Sequence, residues 1–425
     1  MATWFDGGSS SRTASNLADA LYYGPTPSGG DDSADIQAWI DAAAVSGGEA
    51  SLGPGTWLAQ GLVMKSGVIL NLRGGTLKLN NSANTDLIVT TGFAGLTGGV
   101  TTGGPTGFAI RNGTLDGNKA NNTSGWPLRI YGSAYRIDDL EIQNGNDGGC
   151  FSEWGTGGTD MEAQWTNFRI HDCSGPGLDW RGPHDSQFVN GLIFRNDGFG
   201  FRSSVNATSE QITNVHTWGT EHTYGFHFKT PAYTVNCVAE GATTANVVLD
   251  CNSGAWFGGA VYGTDTGAEV GFQFGLDSTA RYWNIQGTRV YQFAVAGVPI
   301  RYEASGGNSI SILFDAFPST PTNIYTGTPG TYDDIDIKCP QSPALALWSR
   351  RVKYGEEHIY GDSGFRALML KTDPDEAFIQ LLETSTNSNA STNGARIMAR
   401  DNGSGKTQLI VRFQSGAVQL LATEP

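Results

Sequence analysis

Six short segments of this chain repeat one pattern. Gly177, Gly200, Gly225, Asn246, Gly271 and Gly297 each open a stretch of alternating apolar and polar residues, at steps of 23, 25, 21, 25 and 26 residues. A period of that length is one coil of a solenoid, whose hydrophobic face is buried only when coils stack. The second positions are Leu178, Phe201, Phe226, Val247, Phe272 and Val298, all apolar. The fourth are Trp180, Ser203, Phe228, Leu249, Phe274 and Ile300, mostly apolar. Side chains alternate faces along a strand, so both columns point into one interior and the third and fifth positions point out. Phe226 and Phe228 are therefore expected to be buried, with His227 and Lys229 exposed. An upstream coil, GCFSEW at 149–154, fits with Cys150 and Ser152 inside and Phe151 and Glu153 outside. The opposite register would bury Glu153 without a partner, at a cost of several kcal/mol.

Composition agrees with a chain of short strands and tight turns. Of 425 residues 59 are glycine, without a Gly-X-Y period, and only 16% are charged. That excludes collagen, coiled coil and disorder. The formal charge of −15, from 26 Lys+Arg against 41 Asp+Glu, leaves no basic footprint for nucleic acid and repels an anionic membrane. No apolar run approaches the roughly 18 residues of a membrane span, so no membrane insertion is expected. The opening MATWFDGGSSS lacks the basic and apolar regions of a signal peptide. The cysteines at 150, 173, 237, 251 and 339 form no CxxC pair and read as buried free thiols. Neither a metal nor a cofactor is expected.

Along the chain, residues 1–30 are rich in Ser, Gly and Pro. A helix follows: Ile36, Trp39, Ile40, Ala43 and Ala44 fall on one face, Asp31, Asp32 or Ser33 can cap it, and Gly47-Gly48 stops it. Here the sequence resembles a known family. GGDDSADIQAWIDAAAVSGGEASLGPGTWL, then FAIRNGTLDGN at 108–118, is similar to the opening of pectate-lyase-like right-handed parallel β-helix proteins. The resemblance implies an all-β solenoid with an N-terminal capping helix. The lack of a leader and the small C-terminal β module make the chain similar to phage tail spikes and minor tail proteins. That likeness implies a homotrimer, a place in the virion tail after synthesis in the host cytoplasm, and tail or baseplate partners held by the N-terminal segment. The expected organisation is attachment at 1–30, β-helix at 31–315, a Pro/Thr/Gly-rich linker at 316–342 and a C-terminal β module at 343–425, for trimerisation or receptor binding.

The outward columns carry the candidate chemistry. The third position gives Phe151, Asp179, Arg202, His227 and Val248; the fifth gives Glu153, Arg181, Ser204, Lys229 and Asp250. With coils about 4.8 Å apart, Glu153 and Asp179 are diagonal neighbours whose Cα atoms lie roughly 8 Å apart. Their carboxyl groups could then fit the roughly 6.5–9.5 Å window of an inverting glycosidase, and both are candidate catalytic residues. Arg181 beside Glu153 and Arg202 beside Asp179 would hold the two ionised, which suits a base or a binding role better than an acid. A lyase would use the same patch differently: Arg181, Arg202 and Lys229 neutralise a uronate, and His227 or a lysine takes the α-proton. His184 and Asp185 lie on the rim in RGPHD, and Trp218 in HTWGTEHT suits sugar stacking; both turns join the candidate substrate-binding set. The bland alternative is a solvated ladder of cross-strand ion pairs.

The expected function is recognition of a host surface polysaccharide, either as binding alone or with its depolymerisation by hydrolysis. A free polysaccharide lyase or hydrolase, and an inert structural tail part, stay open as alternatives.

Overall fold

The computed structural model describes residues 25–90, 93–94, 99–100, 104–154, 162–205, 207–264, 269–291, 293, 297–303 and 305–315, and beyond these a set of separate segments between 325 and 423. Residues 1–24 and most of 316–347, including Cys339, lie outside the described residues, and with them all but 25–30 of the segment expected to serve attachment.

The chain winds into a right-handed parallel β-helix of about nine turns behind one helix. Each coil gives one strand to an eleven-stranded sheet and a longer, bent stretch to a twenty-one-stranded sheet. The stacked columns appear in register: Leu178 pairs with Phe201, Phe201 with Phe226, Phe226 with Val247, and Val247 with Phe272. All five are at most 1% exposed, and so are Trp180, Phe228, Leu249 and Phe274. Cys150 and Ser152 face the interior as the upstream coil required. There Ser152 Oγ meets the Tyr135 hydroxyl at 2.8 Å and donates to the Gly182 carbonyl at 2.8 Å, so the buried hydroxyl is satisfied.

The last repeat differs by two residues. Phe272 pairs with Ile300, not Val298, and Phe274 with Tyr302. This register sets Pro299, which has no N–H, beside Gly271, where a Cβ would lie 2.4 Å from the Pro299 carbonyl oxygen. It also brings the Tyr302 side chain into the interior, while Val298 joins a small outer cluster with Ala245, Val248 and Val270.

The helix, Ser33–Ser46, closes the N-terminal end of the solenoid with Ile36, Ile40 and Ala43 buried. Asp31 Oδ1 accepts the Ser33 N–H at 3.0 Å, and Gly47 ends the helix in the left-handed conformation at φ 67°. Gln37 ties it to the first coils, accepting the Val63 N–H at 2.8 Å.

The long strands bend at one residue per coil. Asn167, Asn190, Asn214 and Asn236 all sit at φ between 53° and 58°. Asparagine tolerates that conformation, and here the amides also bond along the axis: Asn190 to Asn167, Asn214 to Asn190, and Asn236 to Asn214 at 2.7 Å. This ladder fixes the corner between the two limbs of the sheet.

Solenoid pairing continues into the stretch read as a linker. Tyr325–Gly327 adds to the eleven-stranded sheet, and Asp334–Lys338 adds in parallel to the other. From there the chain changes to antiparallel pairing, through Trp348–Lys353, Glu356–Gly361, Leu368–Thr372 and Ala377–Leu381. A separate three-stranded antiparallel sheet, Ala395–Asp401, Thr407–Phe413 and Val418–Thr423, ends the described chain with Val418, Leu420 and Leu421 exposed. Cys150, Cys173, Cys237 and Cys251 are buried free thiols.

Candidate functional site

The third-position column runs up the outer face of the eleven-stranded sheet in unbroken register. Arg129 is opposite Phe151, Phe151 opposite Asp179, Asp179 opposite Arg202, Arg202 opposite His227, and His227 opposite Val248. The face is the outer one, but its third-position side chains are not all solvated. Asp179 and His227 are each only 2% exposed, so His227 is buried where the alternation led one to expect exposure. The reason is a second layer of side chains and turns. The guanidinium of Arg181 lies 4.8 Å from the centre of the Phe151 ring, and that of Arg202 lies 4.3 Å from Phe199. Phe199 and Tyr224, at the strand starts, close over His227 at 5.4 and 5.5 Å between ring centres.

Asp179 is clamped. Arg202 donates to it from Nε at 3.0 Å and Nη2 at 2.7 Å, and Arg181 donates from Nη2 at 2.9 Å. Glu153 is paired in register with Arg181, yet the guanidinium turns to Asp179 instead. Both carboxylate oxygens are thus engaged by two guanidinium groups, and neither is free to hold a water or a sugar oxygen. Glu153 remains half-buried one coil away.

Further up, His227 Nε2 lies 3.3 Å from Asp250 Oδ2. Asp250 is pinned by backbone N–H groups of Leu276, Asp277 and Ser278, at 2.9, 2.9 and 2.7 Å to Oδ1. Burial pushes its carboxyl up, but His227 and these N–H groups outweigh that and hold it below its ordinary value. Lys229 pairs with Asp277 at 2.6 Å, so the turn at 276–278 is latched over His227. Asp250 was present in the outward columns; the latch was not legible because it depends on Asp277 in a turn outside them. Ligand atoms of His227, Asp250 and Asp277 lie within 4.8 Å of one another, the one such grouping among the described residues. They could hold a divalent cation, but the Lys229 ammonium and the three N–H groups already compensate both carboxylates, so the arrangement is a closed ion network.

His184 and Asp185 sit in the turn that follows Arg181. His184 Nδ1 is 2.7 Å from Asp185 Oδ2, and its side chain is 30% exposed. Its other ring nitrogen, Nε2, makes no hydrogen bond among the described residues. Trp218 belongs elsewhere. It ends a strand of the other sheet, stacked on Phe194 at 4.6 Å and 3° between planes, with His171 stacked on the far side of Phe194. His216 in the same strand lies 3.4 Å from Glu240. The structure thus brings Glu153, Asp179, Arg181, Arg202, His227 and Lys229 onto one sheet face with His184 and Asp185 at its margin, and leaves Trp218 off it.

No family model matches the chain, and no curated protein does. Among solved structures, the A-module of the Azotobacter vinelandii mannuronan C-5 epimerase AlgE4 superposes with a TM-score of 0.58 at 17% identity, covering 74% of this chain and 98% of that module. The fold is the pectate-lyase-like parallel β-helix. Two more distant likenesses are to ORF18 of Geobacillus virus E2, with TM-score 0.44, 12% identity and coverage of 93% and 84%, and to pectate lyase Pel9A, with TM-score 0.42, 13% identity and coverage of 64% and 72%. At these identities the likeness is one of fold.

Proposed function

We propose that this chain is a tail-spike or minor tail protein of a phage, which recognises a host surface polysaccharide on the outer face of its eleven-stranded sheet and cleaves it. A long rigid face of stacked coils suits a polymer, since it contacts several sugar units at once. The observation that carries the reading is the pairing of the half-exposed His184 imidazole with the Asp185 carboxylate at 2.7 Å, in the turn that follows the strand ending at Arg181.

That pairing favours elimination over hydrolysis. An inverting hydrolase needs two free carboxyl groups, and Asp179 has both oxygens engaged. In an elimination His184 Nε2 takes the C5 proton of a uronate, a C4–C5 double bond forms, and the C4–O bond breaks with its electron pair leaving on oxygen. Water protonates that oxygen. Arg181, with its side chain 33% exposed, faces the uronate carboxylate, and Asp179 holds Arg181 and Arg202 in place. Glu153 and Lys229 bind sugar hydroxyls along the same face. The mannuronan epimerase that shares the fold is named for a polyuronate, which is consistent with this choice of substrate.

The homotrimer, assembled through the exposed apolar strand Val418–Thr423, and attachment to the tail through residues 1–30 are part of the proposal. Incubation with purified host polysaccharide tests it. Shortening with ultraviolet absorbance of an unsaturated uronate supports elimination, shortening without absorbance restores hydrolysis, and no shortening leaves a binder.

A further inference from the structure

The outer face of the second sheet differs in kind from the first. From the coil of Gln164 to that of Asn284 the long stretch is divided by a left-handed corner residue, and the limb before that corner offers two outward positions per coil, which continue as Ser309 and Ser311 in the next. From Gln164 and Thr166 to Ser309 and Ser311 these positions run through seven coils in parallel register, and none of them carries a charge. The preceding coil has Arg136 and Asp138 in the same places, so the uncharged strip has a sharp end. In a chain of net charge −15, with a charged network on its other sheet, such a strip is not the ordinary surface.

Its middle is apolar. Tyr233, Val235 and Phe257 are 43%, 46% and 40% exposed, and Val235 and Phe257 are direct cross-strand partners. Among the described residues neither ring is stacked on another ring. Amides flank them: Gln211 is opposite Tyr233, and Gln286 is opposite Phe257 and donates to Asn284 at 3.0 Å. Open ring faces between amide donors and acceptors, with no charge to desolvate, match a polymer of neutral sugars.

The dimensions select the occupant. Six steps of about 4.8 Å make the strip about 29 Å long, and two outward residues about 6.7 Å apart, with their reach, make it roughly 14 Å wide. About 400 Å² is half of the ~800 Å² that a stable protein interface buries on each side. It is long and narrow, as a linear chain requires.

We propose that this strip is a non-catalytic binding surface for a neutral glycan chain, separate from the charged face and independent of whether that face cleaves anything. The test is affinity electrophoresis of the full chain through gels containing dextran, starch or xylan, with polygalacturonate as the anionic control. At least one neutral polymer should retard the protein. The double variant Tyr233→Ala/Phe257→Ala should weaken that retardation by about tenfold or more, and His184→Ala should leave it unchanged. Both substituted positions are on the surface, and an unchanged melting temperature shows that the variant is folded. Absence of retardation by all three neutral polymers, or equal retardation of the double variant, overturns the proposal. A lower oligomer mass of the double variant in light scattering, with retardation unchanged, also overturns it and makes the strip an interface between copies. Cleavage of a uronate polymer by the double variant would persist in every case, so this failure is distinct from failure of the charged face.

Discussion

Replacing Asp179 by asparagine separates a structural carboxylate from a catalytic one. Asp179 is 2% exposed and accepts three hydrogen bonds, at 3.0, 2.7 and 2.9 Å, from Arg202 and Arg181. Asparagine keeps one acceptor oxygen but turns an N–H₂ group toward a guanidinium and leaves two cations without their counter-charge. Removing one partner of a buried ion pair destabilises by about 3–5 kcal/mol. At roughly 2 °C per kcal/mol for a large domain, the melting temperature should fall by about 6–10 °C. Calorimetry of Asp179→Asn, Arg202→Ala and the double variant gives the decisive quantity, the coupling between them. We expect the double variant to be no worse than the worse single one, so that the coupling is at least about 2 kcal/mol. A melting point within a degree of the parent, with loss of polysaccharide cleavage, would refute the clamp and return Asp179 to the role of proton carrier.

Glu210 is fully buried, and burial raises its pKa to about 8, against the lowering effect of the Glu210 and Thr208 N–H groups and the Trp180 side chain. Its contribution is complete below about pH 4.5 and is lost as pH rises through 8, up to about 5 kcal/mol, so urea midpoints should fall on the alkaline side and Glu210→Gln should flatten that limb. His222 is its counterpart: burial lowers it to about 4, its contribution is complete above about pH 6.5, and about 3 kcal/mol is lost as pH falls toward 4, a limb that His222→Gln should remove. Phe226→Ala should cost about 3–5 kcal/mol, whereas Lys229→Ala, which removes a half-exposed ion pair, should change the melting point little; equal effects would contradict the register. The full chain should run as a trimer in light scattering and as a monomer without residues 343–425.

Much of the solenoid was legible because period and alternation act at short range. Phe201, Phe226 and Val247 recur where one coil must lie on the next, and only one register buries them all. The slip at Val298 was not legible, because the choice between Val298 and Ile300 depends on where Pro299 finds room beside Gly271. The asparagine corner carried a signal that the strand reading passed over: Asn167, Asn190, Asn214 and Asn236 recur at coil spacing in the opposite sheet. For the site, alternation correctly placed Asp179 and His227 on the outer face but could not show that Arg181 and Arg202 converge on one carboxylate, or that Asp277 reaches back to Lys229. Those contacts depend on side-chain reach and turn geometry. Trp218 was misplaced on the site for the same reason, since a turn-rich stretch does not reveal which sheet its residues face.

The role of His184 as a base on the outer face is tested most directly by the rate of polysaccharide cleavage by His184→Gln against the parent chain. The parent should produce an absorbing unsaturated uronate, and the variant should lose about 10²-fold or more of that rate with its melting point unchanged. Cleavage by the variant at the parental rate, or cleavage by the parent without the absorbing product, would contradict it.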